Sequence, residues 1–204
     1  GVGKATALLL ARDGAHVVVN DLDVDEAAAT VNEIILSGHS ALVCAGSVTD
    51  PLFPDQLMQA ALNAYGQIDI LINNAGYIWN GAMHNHSDEQ WQAMLDIHVT
   101  APFKILKSFS TWLRQQAKKE IAETGRAVCR KIVNVSSVSG TNGSATQIAY
   151  SSGKAAVIGL TKTLAKEWGR YNVTVNCVAF GHIDTRLTQP YTEEPPSIRV
   201  DDKD

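Results

Sequence analysis

Tyr150 and Lys154 are the residues of this 204-residue chain whose spacing points most directly to chemistry. They lie four positions apart in a predicted helix, so both side chains share one face. An unperturbed tyrosine, with a pKa of about 10, holds its proton too firmly for efficient exchange at neutral pH, and a nearby ammonium group favours the phenolate. The pair therefore suits proton transfer, although the same spacing also fits an ordinary surface pair.

Ser137 lies in a Ser-Ser-Val-Ser-Gly stretch at the end of a predicted strand, thirteen residues before Tyr150. A hydroxyl at that point can hold a substrate carbonyl beside the phenol. Read alone, the stretch fits a serine-rich loop equally well.

A second group of residues suits the binding of a dinucleotide. Gly1, Val2 and Gly3 open the first predicted helix, where glycines let a phosphate approach the backbone N–H groups at the positive helix end. Asp21 ends the next predicted strand, where a carboxylate can accept hydrogen bonds from an adenosine ribose. A plain helix-start turn, and an aspartate that only caps the next helix, are the alternatives.

The segment Asn73-Asn74-Ala75-Gly76 directly follows another predicted strand. A cofactor would lie at that carboxyl end of a parallel sheet. Asn and Gly are also common turn residues, so an ordinary turn remains the alternative.

The elements that must position these residues alternate strictly between strand and helix. Short β-branched runs predict strands, and apolar residues at helical spacing predict helices. A capping box opens one helix at Ser87, and Pro102 predicts a break before a long helix that ends near Glu120. The pattern predicts an α/β fold with a doubly wound parallel sheet and helices on both faces. The predicted strands are 16–20, 41–45, 68–72, 131–135 and 173–179, and the other predicted helices are 4–12, 25–36, 54–65 and 150–171.

Composition bounds the class of protein. A net charge of −4 argues against a nucleic-acid partner, and no apolar run approaches the roughly 20 residues that a membrane span needs. The three cysteines, Cys44, Cys129 and Cys177, are predicted to be buried thiols rather than a disulfide framework or a metal site. We therefore expect no metal, and a cytoplasmic location or an organelle lumen that keeps thiols reduced. One domain is predicted over residues 1–188, followed by an irregular acidic tail or part of a substrate loop at 189–204.

Taken in order, these motifs resemble the short-chain dehydrogenase/reductase family, in the type that carries an Asn-Asn-Ala-Gly motif and a Ser, Tyr-x-x-x-Lys set. The resemblance covers Gly1 to about Thr188. It implies a Rossmann-like fold and a reaction between a secondary alcohol and a ketone. Tyr150 would be the general acid or base, Ser137 would orient the reacting oxygen, and Lys154 would hold the nicotinamide ribose and lower the pKa of Tyr150.

The resemblance also implies a nicotinamide cofactor and the residues that hold it. Asp21 favours NAD over NADP, because a 2′-phosphate would meet a carboxylate there. The implied cofactor-binding residues are Gly1, Val2, Gly3, Asp21, Ser47, Val48, Asn74, Ala75, Gly76, Tyr150, Lys154, Ile183 and Thr185.

Several positions depart from the family pattern. His98 replaces the usual asparagine that supports a helix bulge and a proton-relay water, so we expect an altered relay, or else a helix histidine with no relay role. Ser47 stands where an aspartate often meets the adenine amine, and Phe180 where Pro is common before Gly. The family's first strand would precede Gly1 and its last strand would follow the tail. We therefore expect either a fragment of a longer protein or a truncated product that folds poorly.

The substrate implied by the resemblance is a 3-oxoacyl or 3-hydroxyacyl thioester, which belongs to fatty acid metabolism. Residues 77–86 and the region after Thr185 would form its walls. The alternative is a truncated, non-catalytic member that acts through subunit contacts. A homo-oligomer, commonly a tetramer, would pair through the helices at 101–120 and 150–171. The charged stretch 117–130 is interpreted as a solvated helix end.

Overall fold

The computed structural model describes residues 1–185, so the predicted tail at 189–204 lies outside the described residues. Strands and helices alternate in the predicted order, with boundaries that shift by a few residues. The strands are β1 (Val17–Val19), β2 (Ala41–Val43), β3 (Ile70–Asn73), β4 (Arg130–Ser137) and β5 (Val173–Phe180). The helices are α1 (Val2–Arg12), α2 (Val24–Leu36), α3 (Phe53–Tyr65), α4 (Asp88–Leu95), α5 (Ala101–Thr124), α6 (Val138–Asn142) and α7 (Ile148–Trp168). Short 3-10 turns occupy Met83–Asn85 and Gly169–Tyr171.

The strands form two parallel sheets. β1 pairs with β2, and β4 lies between β3 and β5. Among the described residues, β1 and β3 each have one edge that no strand pairs with. All these pairings are parallel, so the carboxyl ends of neighbouring strands meet at one edge.

A row of polar side chains on the buried face of β4 connects the larger sheet to α7. Asn134 accepts a hydrogen bond from Asn73 Nδ2 at 2.8 Å and donates one to Thr161 Oγ1 at 2.9 Å. Two residues along the same face, Ser136 Oγ donates to the main-chain carbonyl of Lys154 at 2.7 Å. Buried polar groups need such partners, so this row fixes how α7 sits on the sheet.

The sequence predicts that Pro102 separates two helices, but the helical path is continuous at this point. Pro102 lies in the first turn of α5, directly after a π-helical turn. α5 continues from a π-helical turn at Asp96–Thr100 and extends to Thr124, past the predicted end, where Gly125 caps it with φ 82°. α6 was also missed, because its Ser/Gly-rich sequence favours a loop.

Most of the charged stretch 117–130 is exposed, as its composition predicts, but Glu120 and Arg130 are buried. Arg130 is 1% exposed and forms a bidentate ion pair with Glu120, at 2.5 and 3.0 Å. Arg130 Nε also donates to the Ile68 carbonyl at 3.1 Å, and its guanidinium lies 5.0 Å from the Trp112 ring centroid. The pair therefore joins α5 to the start of β4 and to the residues before β3.

The three cysteines are half-buried rather than buried, and none forms a disulfide. No helix among residues 1–185 is long and apolar enough to cross a membrane.

We expect the Glu120–Arg130 pair to make the stability of the fold sensitive to acid. The hydrogen bond from Arg130 lowers the pKa of Glu120 from its usual 4.5 to about 2. The stabilisation is therefore complete above the unfolded-state pKa and is lost as the pH falls through the folded-state value. Glu120→Gln should remove this part of the acid dependence, and leaving Arg130 buried and unpaired should lower the unfolding free energy at pH 7 by about 3–5 kcal/mol.

Urea unfolding at several pH values measures this effect. Glu123→Gln, an exposed glutamate on the same helix, is the matched control and should follow the wild type. An equal loss of stability between pH 4.5 and 2 in the wild type and in Glu120→Gln would contradict the assignment.

Candidate active site

Tyr150 and Lys154 lie together on the first turns of α7, as the sequence predicts. Both are buried, with 8% and 5% of their surface exposed. Lys154 Nζ donates to the Val135 carbonyl at 2.9 Å and lies 5.7 Å from the centroid of the Tyr150 ring. Burial lowers the pKa of Lys154 to about 8. The ammonium group is thus held beside the phenol by the carboxyl-terminal half of β4.

Burial raises the pKa of the Tyr150 phenol above its usual value of 10.0, and a side-chain hydrogen bond with Ser137 opposes that shift. The lowering that the resemblance implies rests on Lys154 together with the charge of an oxidised nicotinamide, and it stays a prediction. Desolvation disfavours the phenolate more than the surrounding dipoles favour it. The Ser137 hydroxyl therefore lies within hydrogen-bonding reach of the phenol.

Ser137 reaches Tyr150 because β4 turns directly into α6. It caps α6, where its Oγ accepts a hydrogen bond from the Ser139 amide at 3.1 Å, and it pairs in register with Phe180 of β5. Gly140 permits the approach of α6 to α7, since a Cβ atom there would lie 2.6 Å from the main-chain carbon of Lys154. Sequence reasoning did not identify Gly140 as part of the site.

His98 is buried against the same tyrosine. Its ring packs edge-on against the Tyr150 ring with 5.1 Å between centroids, and its Nε2 lies 2.7 Å from the Tyr77 carbonyl. A carbonyl can only accept, so Nε2 carries the proton. The residue lies in the π-helical turn Asp96–Thr100, the bulge that the resemblance implies.

The surroundings keep His98 neutral. Burial lowers its pKa to about 3, and the charge of Lys154 acts in the same direction. Gly76 and Gly153 make room for the ring, because a Cβ atom at these positions would lie 2.5 Å from Cε1 and 3.0 Å from Cβ of His98. Among the described residues, Nδ1 has no hydrogen-bond partner. Because Nε2 already carries a proton, neutral His98 can accept another proton only at Nδ1.

The glycine turn and the Asn-Asn-Ala-Gly segment are adjacent in space. α1 begins at Val2, directly after Gly1, which provides no side-chain cap, and a Cβ atom on Gly3 would lie 2.7 Å from Asn74 Nδ2. Ala75 and Gly76 are exposed directly after β3. The uncapped N–H groups of α1 and this open backbone fit the pyrophosphate of a dinucleotide.

Asp21 and the segment containing Ser47 also lie side by side. The Gly46 amide donates to the Asp21 carbonyl at 3.0 Å, and Ser47 Oγ lies 2.7 Å from Thr49 Oγ1. The side chain of Val48 packs in the hydrophobic core, so only its main-chain groups are available to contact a cofactor. Carboxylate and hydroxyl groups at this edge fit an adenosine ribose and base.

Ile183 and Thr185 follow the carboxyl end of β5, which pairs with β4 beside Ser137. Ile183 is exposed and Thr185 is half-buried. Both are therefore at the edge where the predicted carboxamide contacts would lie.

Gln147 is a site residue that the sequence analysis missed. Its Oε1 accepts from Ser139 Oγ at 3.0 Å, and its Nε2 donates to Asn80 Oδ1, also at 3.0 Å. The Gly81 amide donates to the Thr146 carbonyl at 2.7 Å. These bonds hold the predicted substrate segment 77–86 against the start of α7. The only sequence signal was the position of Gln147, three residues before Tyr150.

Comparison with known proteins agrees with this architecture. The short chain dehydrogenase family profile matches residues 1–196. The chain is 40% identical over 196 residues to a 3-oxoacyl-[acyl-carrier-protein] reductase of Synechocystis, covering 96% of this chain and 75% of the relative. It is 36% identical over 183 residues to a hydroxyacyl-CoA dehydrogenase of Mycobacterium tuberculosis, covering 87% of this chain and 56% of the relative.

A solved structure gives the same result for the fold. A short chain dehydrogenase from Mycobacterium avium superposes with a TM-score of 0.83 at 34% identity, covering 95% of this chain and 68% of that one. The protein defined by this fold and site is an NAD(P)-binding oxidoreductase. The chain belongs to the short-chain dehydrogenase family.

Gly140→Ala should disturb the site, since the added Cβ atom would overlap the main chain of Lys154, which cannot rotate away. We expect turnover to fall at least about tenfold and the melting temperature to drop, since overpacking typically costs about 1–3 kcal/mol. Gly159→Ala, in the same helix as Lys154, is the control, because a Cβ atom there meets nothing within 4 Å. Wild-type turnover in Gly140→Ala would contradict the proposed contact between α6 and α7.

His98→Asn tests whether His98 titrates during turnover. A histidine whose pKa is about 3 stays neutral across the working range. The pH profile of kcat/KM between pH 5 and 7 should therefore be the same in the variant and the wild type. An acid limb near pH 6.5 that is present only in the wild type would show that His98 ionises.

Proposed function

We propose that the protein is an NAD(H)-dependent oxidoreductase that interconverts a 3-oxoacyl and a 3-hydroxyacyl thioester. The observation that carries the reaction class is the burial of Tyr150 and Lys154 beside Ser137 at the carboxyl edge of the larger sheet. Relatives named as 3-oxoacyl-[acyl-carrier-protein] reductase and hydroxyacyl-CoA dehydrogenase support the substrate class.

In the reducing direction, the substrate carbonyl oxygen accepts hydrogen bonds from Ser137 and Tyr150. Tyr150 then gives its phenolic proton to that oxygen as the alcohol forms, and Ser137 stabilises the phenolate that remains. Lys154 places a positive charge near the ring from its anchor on the Val135 carbonyl. A nicotinamide bound beside these residues would supply the hydride. In the oxidising direction the phenolate accepts the proton from the alcohol.

NAD is the proposed cofactor, with NADP disfavoured. Asp21 would repel a 2′-phosphate on the adenosine ribose. Lys4, a basic residue near the glycine turn, forms an ion pair with Glu33 at 2.8 Å, which directs its charge toward α2. Asp21, Ser47 and the glycine turn supply the polar groups for the adenosine end.

A small-molecule substrate is the proposed partner, and we propose a homo-oligomer as the functional assembly. Phe103 and Ile121 of α5 are exposed apolar residues in the helix that the resemblance assigns to subunit contact. A cytoplasmic or other reducing environment is proposed for the three free cysteines. The non-catalytic alternative gains no support from a site in which Tyr150 and Lys154 are buried together.

Tyr150→Phe tests the reaction. Removing the phenolic proton should lower turnover of acetoacetyl-CoA with NADH at least about a hundredfold, the range for loss of a general acid. Binding of NADH, followed by nicotinamide fluorescence, should change little. Tyr171→Phe, beyond the end of α7, removes a tyrosine hydroxyl elsewhere and should keep wild-type turnover. Unchanged turnover in Tyr150→Phe would overturn the proposal.

A further inference from the structure

Asn20 lies between the end of β1 and Asp21, and its side chain reaches across to the next strand. Its Nδ2 donates to the Cys44 carbonyl at 3.0 Å and the Gly46 carbonyl at 2.9 Å, and lies 3.4 Å from the Asp21 carbonyl. Three carbonyl oxygens around one atom identify it as the amide nitrogen, because carbonyls only accept. The side chain therefore joins the chain ends that follow β1 and β2.

The backbone ladder alone holds these ends weakly. β1 and β2 have three residues each, and beyond them the main-chain bonds are Cys44 N to Val19 O at 2.9 Å and Gly46 N to Asp21 O at 3.0 Å. Regular main-chain pairing between the two strands therefore ends at Val19 and Val43. The Asn20 carboxamide adds two bonds at the point where the regular pairing ends.

The segment held by Asn20 has little freedom to adjust in another way. Gly46 has a φ of 153°, a conformation that favours glycine, and a Cβ atom there would lie 2.7 Å from the Phe53 ring. Asp21 is oriented as well, since its Oδ1 accepts from the Asp23 amide at 3.1 Å. Asn20 thus connects two segments whose local geometry is already set.

We propose that Asn20 is a positioning residue for the adenosine end of the cofactor, which sets the separation between Asp21 and the Gly46-Ser47 turn. This inference rests on the proposed function. Adenosine is rigid enough that its ribose and its base meet Asp21 and Ser47 together only if these residues are correctly spaced. Asn20 need not touch the cofactor to control its affinity.

Asn20→Asp tests the inference with nearly unchanged shape. The variant places a carboxylate oxygen against three carbonyl oxygens in place of a donor, so it should separate the two segments. We expect the Kd for NADH and for ADP-ribose, which lacks the nicotinamide, to rise at least about tenfold, with a larger fold change in KM for NADH than in kcat. Asn20→Ala removes the donor without adding charge and should give a smaller rise.

Asn32→Asp, on the exposed side of α2, makes the same change of charge and should leave both Kd values within twofold of the wild type. All titrations use the full chain well below its melting temperature, so that Kd refers to folded protein. Wild-type affinities in both Asn20 variants, or a lower melting temperature with unchanged Kd values, would overturn the inference alone. A wild-type chain that binds neither NADH nor ADP-ribose would overturn the proposed function as well.

Discussion

The buried polar row of β4 is the constraint on which the rest of the site depends. Asn134 bonds to Asn73 at the end of β3 and to Thr161 on α7, and Ser136 bonds to the main chain of Lys154. Asn134 and Ser136 are buried, so leaving either of them unpaired would cost about 1–3 kcal/mol. β4 therefore sets the position of the Asn-Asn-Ala-Gly segment and also the orientation of α7 on the sheet. Neither depends on the contacts of Tyr150.

Much of this arrangement could be predicted from the sequence, because its signals are local. Apolar periodicity located the main strands and helices, the capping box located the start of α4, and four-residue spacing placed Tyr150 and Lys154 on one face. The contacts that bring Ser137 and His98 to Tyr150 are long-range. They depend on the order of strands in the sheet and on the space that Gly76, Gly140 and Gly153 leave for neighbouring groups. The local sequence pattern shows neither.

The errors have the same origin. The stretch 117–130 is charged, which favours solvent exposure when read locally, yet Glu120 and Arg130 satisfy one another inside the fold. Gln147 showed no local signal, because its partners lie on two other segments. In each case a polar residue forms side-chain hydrogen bonds with a group on another segment of the fold. Composition and periodicity contain no information about such pairing.

Burial moves the pKa values of the two titrating groups of the site apart. It raises the pKa of Tyr150 and lowers that of Lys154 to about 8, so both shifts favour the uncharged forms. A site that only desolvated these groups would hold the phenolic proton more tightly than water does. The hydrogen bond from Ser137 opposes the rise in the pKa of Tyr150. His98 packs against the Tyr150 ring as a neutral imidazole and adds no charge. The proton chemistry of Tyr150 therefore depends on the geometry of the β4 to α6 turn as much as on the lysine beside it.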